Sequence, residues 1–385
     1  MTAHVPRINR RVLTVFLLVG LPILVLGVGI VLAIGQVRLR DTFGQHLEQV
    51  AQQTAAAVDA YVYRRILDVS LLARTPEVRR EAAAGSARPL QMAVVEQLDR
   101  AWREAGAPPP EHEALLTNAA ASYLADITAH DLVYREILLT DRYGRLVAAS
   151  EPTTDYYQAD EDWWKAAYDD GRRGRVSVTD VRWDESARVF AIEIAVPVQE
   201  PGGEGLAGIL KVVSDSREML AIVGGVQLGA TGEAMLLRDN GSIVFSRQPV
   251  EPNAHFFATE SFRERVGLMR AGDPDAGAYF RATTRGESAR LVGVAASQLV
   301  RSFPNLPWYV AVTQAEEELL APVRALGWYL LVALALTAIA VLVFALWFSV
   351  RLAAPPVDVD MHLVEHAPVL HVGETEEPAV GRQGV

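Results

Sequence analysis

The chain is 385 residues long, with a formal net charge of −11, a pI near 5.3 and no cysteine. The acidic balance leaves no basic excess for phosphates, which argues against a nucleic-acid partner. The lack of thiols rules out disulfides and thiolate metal sites. Hydrophobic residues make up 50% of the chain and the mean hydropathy is +0.15, high for a soluble protein.

Two segments account for that apolar excess. Residues 12–37 and 325–350 carry no charge before Arg38 and Arg351, and each exceeds the roughly 20 residues that a bilayer core requires. Trp328, Tyr329 and Trp347 lie near the ends of the second run, as an interfacial belt would place them. The first run is longer than the apolar part of a cleaved signal peptide and reads as an uncleaved anchor. Arg7, Arg10 and Arg11 precede it and place residues 1–11 inside the cell; Arg38 and Arg40 weaken that bias without reversing it. Residues 38–324 are then expected outside, in the periplasm of a cell with an inner membrane, and residues 351–385 form a cytoplasmic tail.

Leu39–Thr75 has apolar residues at helical spacing, with Val50, Val58, Tyr61, Ile66, Val69 and Leu72 among them, and predicts one long helix that Pro76 stops. Glu77–Ala105 reads as helical with a break near Gly85, the Pro108–Pro110 run as a turn, and Glu113–His130 as a further helix. The texture then changes to short alternating segments. Glu136–Thr140 and Arg145–Ser150 form a hairpin around Asp141–Gly144. Tyr156–Tyr168 mixes acids with aromatic rings and opens a helix. Arg175–Trp183, Val189–Val198 and Gly205–Val213 follow as strands.

The pattern returns about a hundred residues later. Met235-Leu236-Leu237-Arg238-Asp239 echoes Ile137-Leu138-Leu139-Thr140-Asp141, each followed by a Gly turn and an apolar strand. A helical piece at Thr259–Arg270 and strands at Gly277–Ala282, Ala289–Ala296 and Trp308–Val312 complete a second copy, so two similar lobes are expected in tandem. A helix from Gln314 leads through Glu316–Glu318 into the second apolar run.

On the Asp141–Gly144 hairpin, the Asp160-Glu161-Asp162-Trp163-Trp164 helix start, Val196-Pro197-Val198, Gly205–Leu210 and Ala230–Ala234, residues 39–320 resemble the double Cache (dCache) sensor domains of bacterial membrane receptors. The resemblance implies an α+β fold. A long N-terminal helix carries two tandem PAS-like lobes, each an antiparallel sheet with helices, flanked by two transmembrane helices. It divides the outer region into a helical part (38–135), a membrane-distal lobe (136–218), a membrane-proximal lobe (219–313) and a connecting helix (314–324). It also implies a small ligand in the distal lobe. Amino-acid-binding members look like Arg-x-Trp-Tyr at the helix start, where the arginine holds the ligand carboxylate. Here Glu161 stands at the arginine position and Trp164 at the tyrosine position, which disfavours a carboxylate held in that way.

The candidate ligand-binding residues are Tyr157, Asp160, Trp163, Trp164, Asp180 and Asp184. The last two are included because the resemblance implies a downstream aspartate for an ammonium group, with Arg182-Trp183-Asp184 the nearest match to its Tyr-x-Asp. Acids beside rings suit a cationic ligand. Plainer readings stand beside these. Trp163 and Trp164 point about 100° apart on a helix, so one of them is expected in the core. Asp160 also reads as a helix cap, with Glu161 and Asp162 favouring the positive helix end. Tyr156 and Tyr157 also suit packing on a strand, and Asp184-Glu185-Ser186 also suits a hairpin turn.

No Ser/His/Asp order, His-Glu-x-x-His or phosphate loop is present, so an enzyme is not expected, nor a cofactor. His362 and His366 have helical metal-ligand spacing, but Pro355, Pro356 and Pro368 oppose a helix there, and no metal is expected. The tail reads as disordered and is too short for a catalytic output domain. The expected function is a membrane-anchored sensor that signals to a separate output protein such as a kinase or receptor. The alternatives are a non-signalling binding or scaffold module, or a truncated receptor. The long helix suits pairing with a second copy, and it equally suits packing on its own lobes.

Overall fold

The computed structural model describes residues 14, 16–106, 108–184, 187–249, 251, 254–272, 279–283 and 288–352. The N-terminal residues 1–13, the tail histidines His362, His366 and His371, and the turn residues Glu185 and Ser186 lie outside the described set. Two compact units are distinguished. One is Leu32–Gly327; the other holds the apolar helical segments up to Val31 and from Trp328.

A π-helical turn, Phe16–Gly20, leads into α1 (Leu21–Leu72), which at 1.5 Å per residue is roughly 78 Å long. The last helix is Ala321–Leu352. Both are long and apolar enough to cross a membrane by length and composition. Ile23, Leu26, Leu336 and Ile339 are largely exposed along them. Proline both ends and begins structure here: α1 stops at Leu72, and Pro76 is the first residue of α2 (Pro76–Ala87), where its missing N–H costs nothing. The break expected near Gly85 falls instead at residues 88–91, which hold Pro89. Gly85 lies within α2, and a glycine is required there because a Cβ would come within 2.5 Å of Val147. Helices α3 (Met92–Ala105), α4 (Ala114–Thr117) and α5 (Ala119–His130) follow, the last capped by the Asn118 side chain on Ala121 N–H at 2.8 Å.

Two antiparallel sheets come next. The first contains β1 (Tyr134–Asp141), β2 (Leu146–Ala149), β3 (Ser177–Val178), β4 (Arg182–Asp184), β5 (Val189–Gln199) and β6 (Leu206–Asp215), in the order β2-β1-β6-β5-β3, with β4 also on β5. The single strand expected over Arg175–Trp183 is thus two short ones, interrupted at Thr179–Val181. Helix α6 (Asp162–Tyr168) lies between β2 and β3, and α7 (Arg217–Gly224), which the periodicity did not single out, joins the lobes. The second sheet holds β7 (Gln227–Leu228), β8 (Gly232–Arg238), β9 (Ile243–Ser246), β10 (Tyr279–Ala282), β11 (Arg290–Ala296) and β12 (Trp308–Ala315). Its order is β10-β11-β12-β8-β7, with β9 on β8, and α8 (Thr259–Ala271) lies between β9 and β10.

The repeat is therefore real, but its register differs by one residue from the sequence echo. Leu138 pairs with Ala149 in the first hairpin as Met235 pairs with Ser246 in the second, and both hairpins slip at the next residue pair but one. Leu138, not Ile137, is the counterpart of Met235. A one-residue shift moves every side chain to the opposite face, so the structural match is the one that keeps Leu138 and Met235 on the faces turned away from α1. The turns confirm it: Gly144 and Gly241 both have φ of 84°, a region open to glycine.

Helix α1 lies across the inner faces of both sheets. Leu47, Ala51, Ala55, Val58, Val62 and Val69 form one core with Ile137, Leu139, Leu236 and Val310. Contact is close enough that a Cβ on Gly293 would come within 2.4 Å of the α1 backbone at Leu47 and Glu48. On the outer face of the second sheet, Phe256, Phe262, Phe280 and Tyr309 fill the space with rings. The outer face of the first sheet is covered only in part, by Trp102, Trp163 and Trp164.

Candidate functional site

That partial cover leaves a cavity of about 640 Å³ over the first sheet. Its floor follows from the pleat. Glu136 and Leu138 on β1, Lys211 on β6 and Glu193 on β5 all line it, as the pairings Leu138 with Lys211 and Glu136 and Glu193 with Val213 require. Lys211 Nζ lies 2.7 Å from Glu193 Oε1, with both side chains nearly buried, and 5.1 Å from the centre of the Trp163 ring. In the second lobe the same positions are Ala311 and Val292, both in the ring-filled core. A charged pair in one repeat thus replaces packed carbon in the other. That exchange puts ions on the cavity floor, where the outer face of the second sheet is, among the described residues, apolar and packed with rings.

The walls are held by residues that the sequence did not advertise. Trp102, fully buried on α3, donates Nε1–H to Thr153 O at 2.9 Å and contacts the Tyr156 ring at 5.9 Å. Asp99 Oδ1 accepts the backbone N–H groups of Tyr156 and Tyr157 at 3.0 and 2.9 Å. Arg103 reaches Asp99, Asp155 and Asp160 at 3.1, 3.1 and 3.5 Å. The spacing of Asp99, Trp102 and Arg103 puts them on one helical face, a signal that was present but easily passed over. Together they fix the loop whose Thr153, Thr154, Asp155 and Gln158 form one side of the cavity.

Six carboxylates line the cavity (Glu136, Asp155, Glu161, Asp162, Asp184 and Glu193) against three bases, Arg175, Arg182 and Lys211. Burial pushes the Asp155 carboxyl up to about 6; Arg103 opposes that shift, while Asp99 and Glu161 add to it. The interior is thus a negative, partly dehydrated space with an aromatic face.

Of the residues singled out in the sequence, Trp163 and Asp184 line this cavity and Tyr157, Asp160, Trp164 and Asp180 do not. Trp164 donates Nε1–H to Thr140 Oγ1 at 3.1 Å and stacks on Tyr168 at 4.5 Å. It is the core member of the tryptophan pair. Asp160 is not the helix cap; Glu161 occupies that position, without a capping side-chain bond. Asp160 instead pairs with Arg103 outside the cavity. Tyr157 bridges Arg145 in the backbone. Asp180 accepts Trp308 Nε1–H at 2.8 Å and the Arg238 guanidinium, which ties the two lobes together. Asp184 serves two readings at once, lining the cavity and accepting Ala187 N–H at 2.8 Å in the turn.

A long helix bearing two repeated lobes, with a charged hollow in the first, defines a tandem-lobed ligand-binding module. Residues 36–323 match the family model for the Cache domain, of the double type, and the chain belongs to that family. It is a sensor-type binding module, not an enzyme. Among solved structures, the chain is similar to the ligand-binding domain of the Pseudomonas aeruginosa PAO1 amino acid chemoreceptor PctB in complex with L-Arg. The identity is 16%, the TM-score 0.43, and 74% of this chain and 92% of that one are covered. It is also similar to the sensory domain of the Campylobacter jejuni chemoreceptor Tlp3 (12% identity, TM-score 0.48, covering 74% and 98%). A third is the ligand-binding domain of the Pseudomonas fluorescens chemoreceptor CtaA in complex with L-isoleucine (14%, 0.43, 74% and 98%). No curated protein matches the chain.

Proposed function

We propose that the protein is a membrane-anchored extracytoplasmic sensor. In this reading it binds a small cationic ligand in the distal-lobe cavity and passes the event through its membrane helices to a separate output protein. The observation that carries the ligand class is the lining of the cavity, six carboxylates against three bases around the Trp163 ring. A desolvated ammonium or guanidinium gains from both the charge and the ring. Glu161 in the wall sets a like charge against any carboxylate that approaches the helix start. The PctB domain named above is described as that of an amino acid chemoreceptor and the CtaA domain as bound to L-isoleucine; in this chain the acidic excess favours a ligand with net positive charge over a zwitterion.

The spans are assigned to residues 12–37 and 325–350, with residues 38–324 outside and both termini in the cytoplasm. The two apolar helices and the arginines before the first support this topology. Exposed Tyr63, Leu67 and Leu71 on α1 recur at helical spacing and suit contact with a second copy of the chain.

A thermal-shift series on the full chain in lipid nanodiscs tests the ligand class, using agmatine, choline, succinate and L-alanine. Agmatine or choline is expected to raise the melting temperature and succinate to leave it unchanged. Stabilisation by succinate alone, or equal stabilisation by all four, counts against a cation site. Reporter fusions to the two termini and to the turn at residues 202–203 test the topology. A cytoplasmic signal from the turn contradicts it.

A further inference from the structure

One wall of the distal cavity does not come from the distal lobe. Ser302, Phe303, Pro304 and Asn305, from the β11–β12 connection of the proximal lobe, line it as well. This loop is fastened on two sides. Toward the distal lobe, Asn305 Nδ2 donates to Val178 O, at the start of the stretch that supplies Thr179, Arg182 and Asp184 to the same cavity. Just beyond the loop, Trp308 donates to Asp180 at 2.8 Å. Toward α1, Tyr63 Oη and Ser302 Oγ share a hydrogen bond of 3.2 Å. Asp59, buried on α1, accepts Ser297 Oγ–H and, at 2.8 Å, Gln298 N–H from the turn just before the loop. Phe303 meanwhile packs into the core that α1 shares with both sheets.

We propose that the loop 302–305 is part of the binding site. A ligand in the distal cavity then presses on a segment bolted directly to the long helix, and need not act through the distal sheet alone. The physical basis is that a wall made by two lobes can change shape only if the lobes move relative to each other or the loop moves on α1. Either motion reaches α1, and α1 runs without interruption from Leu72 back to Leu21. A ligand that fits the closed arrangement better than the open one shifts the population by that difference in affinity. Asn305 and Ser302 are positioning residues in this scheme: Asn305 sets the wall against Val178, and Ser302 sets it against Tyr63.

The proposal rests on the distal cavity being the ligand site, so its test has an arm without ligand. Backbone hydrogen exchange is measured on the full chain in nanodiscs for wild type, Asn305→Ala and Ser302→Ala. Losing one such hydrogen bond is expected to speed exchange in residues 177–184 about fivefold in Asn305→Ala. Residues 137–140, in the middle of the sheet, should stay within about twofold. Unchanged exchange in residues 177–184 overturns the proposal whatever the ligand is. Trp308→Phe, which keeps a ring and removes only the donor to Asp180, repeats the measurement should Asn305→Ala fail to fold. In the second arm, agmatine at saturation is expected to slow exchange in both 177–184 and 302–306. Protection of the first segment without the second shows a one-lobe site and also overturns the proposal. Failure of agmatine to bind counts against the cationic ligand class, and the ligand-free comparison then decides the wall by itself.

Discussion

Lys211 and Glu193 face each other at 2.7 Å on the cavity floor, where the second repeat places Ala311 and Val292. Both ions are largely withdrawn from water, so removing one leaves the other without its partner. Lys211→Met is expected to cost about 1–3 kcal/mol in denaturant unfolding, less than a fully buried pair because the cavity admits water. Adding Glu193→Leu to it should recover most of the loss. The single variant also makes the cavity more acidic, so agmatine should bind more tightly to it than to wild type; calorimetric titration reads that directly.

The two adjacent tryptophans should separate cleanly on substitution. Trp164→Ala removes a ring stacked on Tyr168 and hydrogen-bonded to Thr140 and is expected to destabilise the fold by about 3–5 kcal/mol. Trp163→Phe keeps most of the packing but shrinks the ring that faces Lys211 and the cavity. It should weaken cation binding several-fold with only a small change in melting temperature. The reverse pattern in a paired melting and titration experiment refutes this division of roles.

Asp155 supplies a pH dependence. Burial lifts its carboxyl from 3.8 to about 6, so between those values the folded chain holds a proton that the unfolded chain has released. Its contribution therefore favours folding at low pH and is lost as pH rises through about 6. Asp155→Asn should flatten that part of the stability profile. Protonation also removes one cavity charge, so agmatine affinity should fall by about twofold to fivefold between pH 7 and pH 5. Titrations at the two pH values, on wild type and Asp155→Asn, measure the effect.

Beside the second sheet Glu316, almost buried, accepts hydrogen bonds from Arg40 on α1 and from Arg281 on β10, the latter at 2.7 Å. Burial alone would raise its carboxyl; the two arginines outweigh that and hold it below the ordinary range. The stability it supplies is thus present at neutral pH and lost as pH falls below the usual carboxylate range. Glu316→Gln is expected to lower stability at pH 7 by about 1–2 kcal/mol, given the partial exposure of both arginines. The gap to wild type should close toward pH 3, as acid melting curves of the two proteins would record.

Much of the architecture was legible in the residues alone. Helical spacing in α1, the hairpin at Asp141–Gly144, the two-lobed repeat and the apolar runs all follow from local periodicity and turn chemistry, which neighbouring residues settle among themselves. The aromatic-acidic helix start was legible as the place to look, and Trp163 and Asp184 do line the cavity there.

The rest depended on which face each residue turns to, and that is fixed only when strands pair. The echo between lobes was offset by one residue because apolar letters match equally well in either register, whereas the pleat allows only one. Trp163 and Trp164 are indistinguishable as letters; Thr140 and Tyr168 claim the second, leaving the first for the cavity. Lys211 and Glu193 sit in strands that read as ordinary core, and Asp99, Trp102 and Arg103 sit on a helix about fifty residues from the loop they hold. Such partners meet only through long-range packing, so the shared helical face of Asp99, Trp102 and Arg103 does not by itself say what it holds. The chain by itself determined that there are two lobes on one long helix; tertiary structure decided which residues face the cavity, because the pleat turns Lys211 and Glu193 onto the face where the second lobe, among the described residues, packs rings.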